Sequence, residues 1–215
     1  MSSSAEPRAV RTWEPRVFDE WPPPLRALLD GTALASKIGF TASLMTCDAG
    51  GHLRTSLLGI GELYAPSPRC LAFALWPASR AARTLSHAEH GQMRDARSLQ
   101  SGQRSEPGDG DRCAQAALAF VHDGAFYQVQ LLVAPMREVH ADADADADAA
   151  TSSGLAQFIA SIDVGEVQQV GYARLTSGIS FELLGSALEH RAVLERWQRQ
   201  IERLRQAAHA RLAAS

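Results

Sequence analysis

Two arginine-bearing segments lie about one hairpin apart in the first half of the chain. Arg54 begins the first segment, and Ser79, Arg80 and Arg83 belong to the second. A guanidinium group binds phosphate through parallel hydrogen bonds, and the free N–H groups at the start of a helix favour an anion. Residues 78–87 are predicted to form such a helix, with a serine at its start. The pattern therefore indicates a site for a phosphate group.

The elements that position these segments are predicted from apolar periodicity and turn residues. The Asp-Ala-Gly-Gly turn at 48–51 joins the first two strands, because its glycines supply the positive φ that a tight connection needs. Asp123-Gly124 joins the last two in the same way. The predicted strands are residues 39–46, 52–64, 70–76, 116–122 and 126–134.

Helices are predicted at both ends of this strand-rich region. Pro24 suits a first helical turn, and Leu25, Leu28, Leu29 and Leu34 continue one apolar face. Near the other end, Ser186 and Glu189 form a capping box. A long helix follows, and its apolar positions recur every three or four residues, at Leu194, Trp197, Ile201, Leu204 and Ala208.

The part of the chain between residues 136 and 185 is harder to interpret. Residues 136–140 extend the preceding strand or add a bulge, residues 155–162 suggest a short helix, and residues 172–184 suggest a final strand. The whole pattern predicts an α+β fold with a small closed or split antiparallel β-barrel. Its predicted parts are a flexible arm (1–23), a barrel domain (24–185) and a C-terminal helix (186–215) that packs on the barrel or on a second subunit.

Composition excludes several classes of function. The net charge of −3 does not suit nonspecific binding of nucleic acid. Three scattered cysteines, Cys47, Cys70 and Cys113, favour reduced thiols in the cytoplasm, and no apolar run has transmembrane length. Lys37 is the only lysine among 21 basic residues, a bias that we attribute to a GC-rich bacterial genome.

No metal site is expected. Four aspartates alternate with alanine in the tract 141–150, and calcium is one possible reading because carboxylates suit a hard cation. The tract lacks the glycine and the closing glutamate of a calcium loop, so a solvated connection is the preferred reading. His87 and His90 are read as a surface pair, and residues 98–112 as a polar loop.

The order of strands and the two arginine segments resemble the FMN-binding split barrel of the pyridoxamine 5'-phosphate oxidase-like family, over about residues 34–140. In that family an arginine near the start of the second strand and a Ser-Arg or Ser-Arg-Lys element after the third hold the FMN phosphate. The backbone between them lies along the isoalloxazine ring. The resemblance assigns cofactor contacts to Arg54, Thr55, Ser56, Leu57, Ser79 and Arg80.

Two further positions follow from the resemblance. Ala81 stands where the family has a lysine, and Arg83, one helical turn on, could supply that charge. Gln128 lies where the family has a strand glutamine that reaches the flavin, because an amide can both donate to and accept from the ring. Gln128 or Gln130 could equally be a solvent-facing strand residue, and Trp76 could stack near the ring or fill the barrel mouth.

The sequence also departs from the family. Pyridoxamine phosphate oxidases carry a C-terminal Arg-His element for the substrate phosphate, whereas His190 and Arg191 here lie in a predicted helix. We therefore expect a homodimeric FMN-dependent oxidoreductase of unknown substrate, with each flavin at the subunit interface. A non-catalytic flavin- or haem-binding sensor, a deazaflavin-using relative and a dimeric scaffold with a decayed site remain alternatives. No residue stands out as a catalytic acid or base.

Overall fold

The computed structural model describes residues 16–87, 113–136 and 154–214. Within them, eight strands form one antiparallel sheet that curls into a half-barrel, so the fold is α+β as predicted. The strands are β1 (Arg16–Phe18), β2 (Thr41–Cys47), β3 (Leu53–Gly59), β4 (Leu63–Ser67), β5 (Cys70–Leu75), β6 (Ala114–His122), β7 (Ala125–Pro135) and β8 (Ala156–Gln168). Seven follow the order β3-β2-β6-β7-β8-β5-β4, and β1 pairs with β8.

In this part of the chain three α-helices flank the sheet: α1 (Pro23–Leu28), α2 (Arg80–His87) and α3 (Ala187–Ala213). Short 3-10 helices occupy Leu34–Lys37 and Ile60–Glu62. None of the helices in these residues is long and apolar enough to cross a membrane.

Alternating strand residues build one hydrophobic core inside the half-barrel. Leu44, Leu118 and Val129 lie side by side on β2, β6 and β7, and all three are buried. We call the sheet surface that carries them the core face, and the opposite surface the outer face. Helix α2 contacts β2, β3 and β7, and its residues Ala81, Ala82 and Leu85 belong to the same core. This packing fixes where the first turn of α2 lies relative to the β2–β3 hairpin.

Helix α3 covers the β4 end of the sheet. Its capping box forms as predicted, because the Glu189 carboxylate accepts the Ser186 N–H at 2.6 Å and the Ser186 hydroxyl accepts the Glu189 N–H at 3.4 Å. The predicted stripe faces the barrel: Ile201, Leu204 and Ala208 are buried, and Leu194 and Trp197 are partly buried against the core. The helix contacts both 3-10 helices, β4 and β5.

Most of the predicted strands are present, but one predicted strand is divided into two in the structure. The run 52–64 is divided between β3 and β4 by the 3-10 helix at Ile60–Glu62. There the Glu62 carboxylate accepts the Gly59 N–H at 2.7 Å, and the chain turns from one end of the sheet to the other. The helix predicted from Pro24 is also shorter, because Gly31 adopts a positive φ of 76° after Leu28.

The prediction for residues 155–162 was wrong. These residues belong to β8, which pairs with both β7 and β5, so the sheet holds them from two sides. Buried Phe158 lies next to Phe73 of β5, with ring centroids 5.4 Å apart. An apolar run of eight residues fits a buried strand as well as a helix, and its tertiary partners decide between them.

The strand predicted at residues 172–184 was also wrong. That stretch forms no regular structure, and most of residues 169–186 are exposed. We call residues 169–186 the strap. The predicted arm (1–23) is folded from Arg16 onward: β1 pairs with β8, and the Trp21 indole donates to the Cys70 carbonyl at 2.9 Å. The polar loop 98–112 and the acidic tract 141–150 lie outside the described residues.

Candidate functional site

The first turn of α2 has the geometry that the sequence predicted. The Ser79 hydroxyl accepts the Ala82 N–H at 3.1 Å, and the Ser79 carbonyl accepts the Arg83 N–H at 3.1 Å. Ser79 therefore caps the helix, and the N–H groups of Arg80 and Ala81 are those that the helix itself cannot satisfy. Arg80 and Arg83 are exposed and one turn apart, so they lie on one side of the helix.

Arg54 lies on β3, one of the strands against which α2 packs. It pairs with Thr46 in the β2–β3 ladder, and Ser56 pairs with Leu44, so Arg54 and Ser56 project from the core face. The structure thus brings Arg54 and Ser56 to the sheet surface that α2 covers. Thr55 and Leu57 point to the outer face.

Gln128 belongs to a different surface. Cross-strand pairs place Leu57, Ser43, Ala119 and Gln128 in one row across β3, β2, β6 and β7. Gln128 therefore shares the outer face with Leu57, three strands away, and is separated from Arg54 by the thickness of the sheet. The predicted contacts form two groups: one around the α2 start on the core face, and one on the outer face.

The guanidinium group of Arg54 is already paired. Its Nε donates to Oδ2 of Asp48 at 3.1 Å, and its Nη2 lies 3.1 Å from the same oxygen. The other carboxylate oxygen of Asp48 accepts the N–H groups of Gly50 and His52, each at 3.0 Å. The His52 N–H, followed by the Arg54 guanidinium, holds the pKa of Asp48 below its usual range.

Thr46 has an unusual environment beside this pair. The residue is only 2% exposed, and its hydroxyl has no hydrogen-bond partner among the described residues. Buried hydroxyl groups in native proteins nearly always have a partner. Thr46 lies directly opposite Arg54 in the ladder, so the unpaired hydroxyl and the arginine emerge from the same face of the hairpin.

Large apolar side chains are exposed on β3 and just after β5. Leu53 and Leu57 on β3 are 77% and 44% exposed, and Trp76, at the end of β5, is 67% exposed. Trp76 is therefore not buried in the barrel mouth, which was one of its two predicted roles. Since β3 is the first strand of the sheet formed by the described residues, no described strand pairs with its outer edge.

The strap passes the β6–β7 hairpin and has two attachment points. Its Leu175 N–H donates to the Gly124 carbonyl at 3.2 Å, and Arg174 pairs with Asp123 at 3.1 Å. Farther along, the Phe181 ring packs against Gly59, where an added Cβ would lie 3.2 Å from the ring. Between and beyond these points Tyr172, Ile179 and Leu184 are exposed.

An open groove of about 630 Å³ lies elsewhere, between α1 and β4. Its walls are formed by Glu20, Trp21, Pro23, Arg26, Ala27, Asp30, Tyr64, Ala65, Pro66 and Pro68. None of the predicted cofactor contacts lines it. Among the described residues, no group of histidine, cysteine, aspartate and glutamate side chains could hold a metal ion.

The sequence interpretation missed Asp48 and Thr46. Asp48 was read only as part of a turn, although an aspartate followed by glycine and histidine at the second and fourth positions suits capture of their N–H groups. Thr46 continues the alternation of Ala42 and Leu44, which places it on the buried side of β2. That alternation is the signal that could have identified a buried hydroxyl.

Comparison with known proteins gives likeness of structure only. No family model matches the sequence, and a search of curated proteins finds no match. Among solved structures, a proposed pyridoxamine 5'-phosphate oxidase from Lactobacillus delbrueckii matches with a TM-score of 0.39 and 12% identity, over 69% of this chain and 94% of the other. HupZ of Group A Streptococcus matches with a TM-score of 0.40 and 9% identity, over 73% and 99% of the two chains. A histidine-to-alanine variant of HupZ matches with a TM-score of 0.39 and 8% identity, over 67% of this chain and 98% of the other. The likeness concerns the general arrangement of strands and has no bearing on activity.

Proposed function

We propose that the protein binds FMN and acts as a flavin-dependent oxidoreductase. The observation that carries the proposal is the start of α2, where a capped helix N-terminus and two exposed arginines, Arg80 and Arg83, lie together. The helix packs on β3, which carries a third arginine, Arg54. Free N–H groups and guanidinium groups are the donors that a phosphate dianion needs, so these residues fit the phosphate end of FMN.

The flavin ring would lie along β3. The backbone of Thr55, Ser56 and Leu57 is on the edge of the sheet, where its N–H and C=O groups can meet the polar edge of an isoalloxazine ring. Exposed Leu57 offers an apolar contact for the ring face. The bound flavin would supply the electron-transfer chemistry, and the chain's own residues would supply position and charge. Gln128 would reach the flavin only from the outer face.

The same proposal includes a cytoplasmic homodimer with the flavin at the subunit interface. Exposed Leu53 and Leu57 lie on β3, exposed Trp76 follows β5, and Leu184 and Leu188, at 86% and 73% exposure, lie at the junction of the strap and α3. Exposed apolar groups of this size suit a surface that a second subunit covers. Light scattering on the purified protein should give the mass of two chains. A monomer that binds FMN would disprove the proposed dimer but not the proposed cofactor site.

The visible absorption spectrum of the purified protein, with the released cofactor identified by mass, tests the central claim. A flavin spectrum with FMN in the supernatant is the expected result. A haem spectrum, or the mass of a deazaflavin in the supernatant, would show that the protein binds that cofactor instead of FMN. A colourless protein that takes up no added FMN would disprove the flavin site.

Turnover separates an enzyme from a binding module. If the holoprotein is an oxidoreductase, a reduced nicotinamide or another electron donor should bleach the bound flavin, and air or an added acceptor should restore it. A flavin that neither reduces nor reoxidises with any donor would make the protein a non-catalytic flavin-binding module.

A further inference from the structure

Asp48 is the resident counter-ion of Arg54. One oxygen of its carboxylate accepts a hydrogen bond from Nε of the guanidinium group at 3.1 Å and forms an ion pair with Nη2 at the same distance. The pair is formed within one hairpin, and the two side chains are 38% and 27% exposed for Arg54 and Asp48. A phosphate group that approaches Arg54 therefore meets a cation whose charge is already balanced.

The two oxygens of Asp48 have separate tasks. Oδ2 faces Arg54, whereas Oδ1 accepts the N–H groups of Gly50 and His52 and so holds the turn. An asparagine at this position keeps one acceptor oxygen for the turn and loses the negative charge. The charge of the pair can therefore be changed while the shape of the hairpin is kept.

We propose that Asp48 determines the anion selectivity of the site, because a bound phosphate must replace its carboxylate on Arg54. The inference rests on the proposed function, since it names the competitor of the FMN phosphate. A phosphate monoester carries close to two negative charges at neutral pH and three acceptor oxygens. It can displace a single carboxylate, whereas a neutral ligand or a lone carboxylate gains nothing from the exchange. The site thus accepts phosphate monoesters at reduced affinity and rejects weaker anions.

The buried hydroxyl of Thr46 is a second polar group beside this pair. It projects from the same face as Arg54, from the directly opposite position on β2, and it has no partner among the described residues. The pair of Arg54 and Asp48 therefore lies beside a second polar group that the hairpin leaves unsatisfied.

Titration of FMN and riboflavin, followed by flavin fluorescence, tests the proposal on wild-type protein and on the variants Asp48→Asn and Asp123→Asn. Asp123→Asn is the matched control: Asp123 also sits in a hairpin turn and also pairs with an arginine at 3.1 Å, but far from the site in sequence and on an exposed surface. Asp48→Asn should tighten FMN binding about two- to fivefold, the effect of releasing one partly exposed ion pair. It should leave riboflavin binding unchanged, because riboflavin lacks the phosphate. The control should change neither.

Each other outcome overturns the inference in a recognisable way. If Asp48→Asn tightened the binding of FMN and of riboflavin equally, the cause would be a loosened hairpin. If it weakened FMN binding, Asp48 would orient Arg54 for the ligand. FMN binding unchanged from wild type would leave the flavin site in place without the competition. Wild-type protein that binds neither flavin would overturn the proposed function as well. In an Arg54→Gln background Asp48→Asn should no longer raise the affinity for FMN. An affinity gain that persists there would also contradict the proposal.

Discussion

The two ends of the curled sheet are built differently. At the β4 end, α3 approaches the chain so closely that glycine is required: a Cβ on Gly61 would lie 2.3 Å from Cγ of Trp197, and one on Gly31 would lie 2.4 Å from a methyl carbon of Ile201. At the β3 end, Leu53 and Leu57 are exposed, and the arginines of α2 face solvent. Helix α3 thus packs tightly against the β4 end, beside the open groove between α1 and β4, whereas the β3 end leaves charged and apolar side chains exposed. We therefore expect the stability of the protein to depend mainly on the β4 end, and the proposed cofactor to bind at the β3 end.

If this division holds, Gly61→Ala should give the largest loss of stability without changing the ligand site. The new methyl group would lie within 2.6 Å of three ring atoms of Trp197, and that ring is itself packed against the core. We expect a loss of roughly 3 kcal/mol in the free energy of unfolding, the upper part of the range for an overfilled core. Urea unfolding measures it.

Gly178→Ala is the matched control for that variant. Gly178 lies in the strap, no atom lies within 4 Å of its added Cβ, and the backbone needs no positive φ. The control should therefore unfold like the wild type. A Gly61→Ala variant as stable as Gly178→Ala would show that α3 is not locked onto the β4 end.

Arg80→Ala should show the opposite behaviour. Arg80 is exposed at the start of α2 and has no ion-pair partner among the described residues, so its loss should not change the melting temperature. FMN affinity should fall roughly tenfold, because a charge-assisted contact to the phosphate disappears. Arg191→Ala on exposed α3 controls for the change in net charge and should retain wild-type affinity. Equal losses in both variants would indicate only general attraction of an anion.

Thr46→Val should have the smallest effect and is the most specific to the β3 end. Because the hydroxyl has no partner among the described residues, its replacement by a methyl group of similar size removes no hydrogen bond there. We expect the free energy of unfolding to stay the same or to rise by less than about 1 kcal/mol. Thr55→Val, on the exposed outer face of β3, provides the comparison. If Thr46→Val alone were strongly destabilising, the hydroxyl would have a bridging partner such as a bound water.

Local features of the fold were more predictable from the sequence than tertiary ones. Turn glycines and capping residues act over a few positions, so the Asp123-Gly124 hairpin and the capping box of Ser186 were predicted correctly. The identity of β8 depends on β5 and β7 lying on either side of it, which no local pattern contains. The apolar strap residues resemble a strand in alternation, but the described sheet offers them no pairing partner.

The candidate site shows the same limit. The helix start with Ser79 was predictable, because a serine before a helical run has one common role. The pairing of Arg54 with Asp48 was not, since a turn aspartate can hold the turn with one oxygen and an arginine with the other. The face to which Gln128 points depends on the register of four strands, and the chain order alone does not give it.

The strap has a consequence for how the chain could be divided. It is exposed along most of its length and lacks regular structure, whereas α3 beyond it holds to the barrel through buried Ile201, Leu204 and Ala208. Cleavage in an exposed loop removes few contacts, so a protease cut after Arg174 would leave α3 seated in its place. The barrel and the terminal helix would then behave as two fragments of one noncovalent complex. Gly178 lies between the two attachment points of the strap and has no atom within 4 Å of an added Cβ, so a tag or an inserted domain there would disturb the fold least.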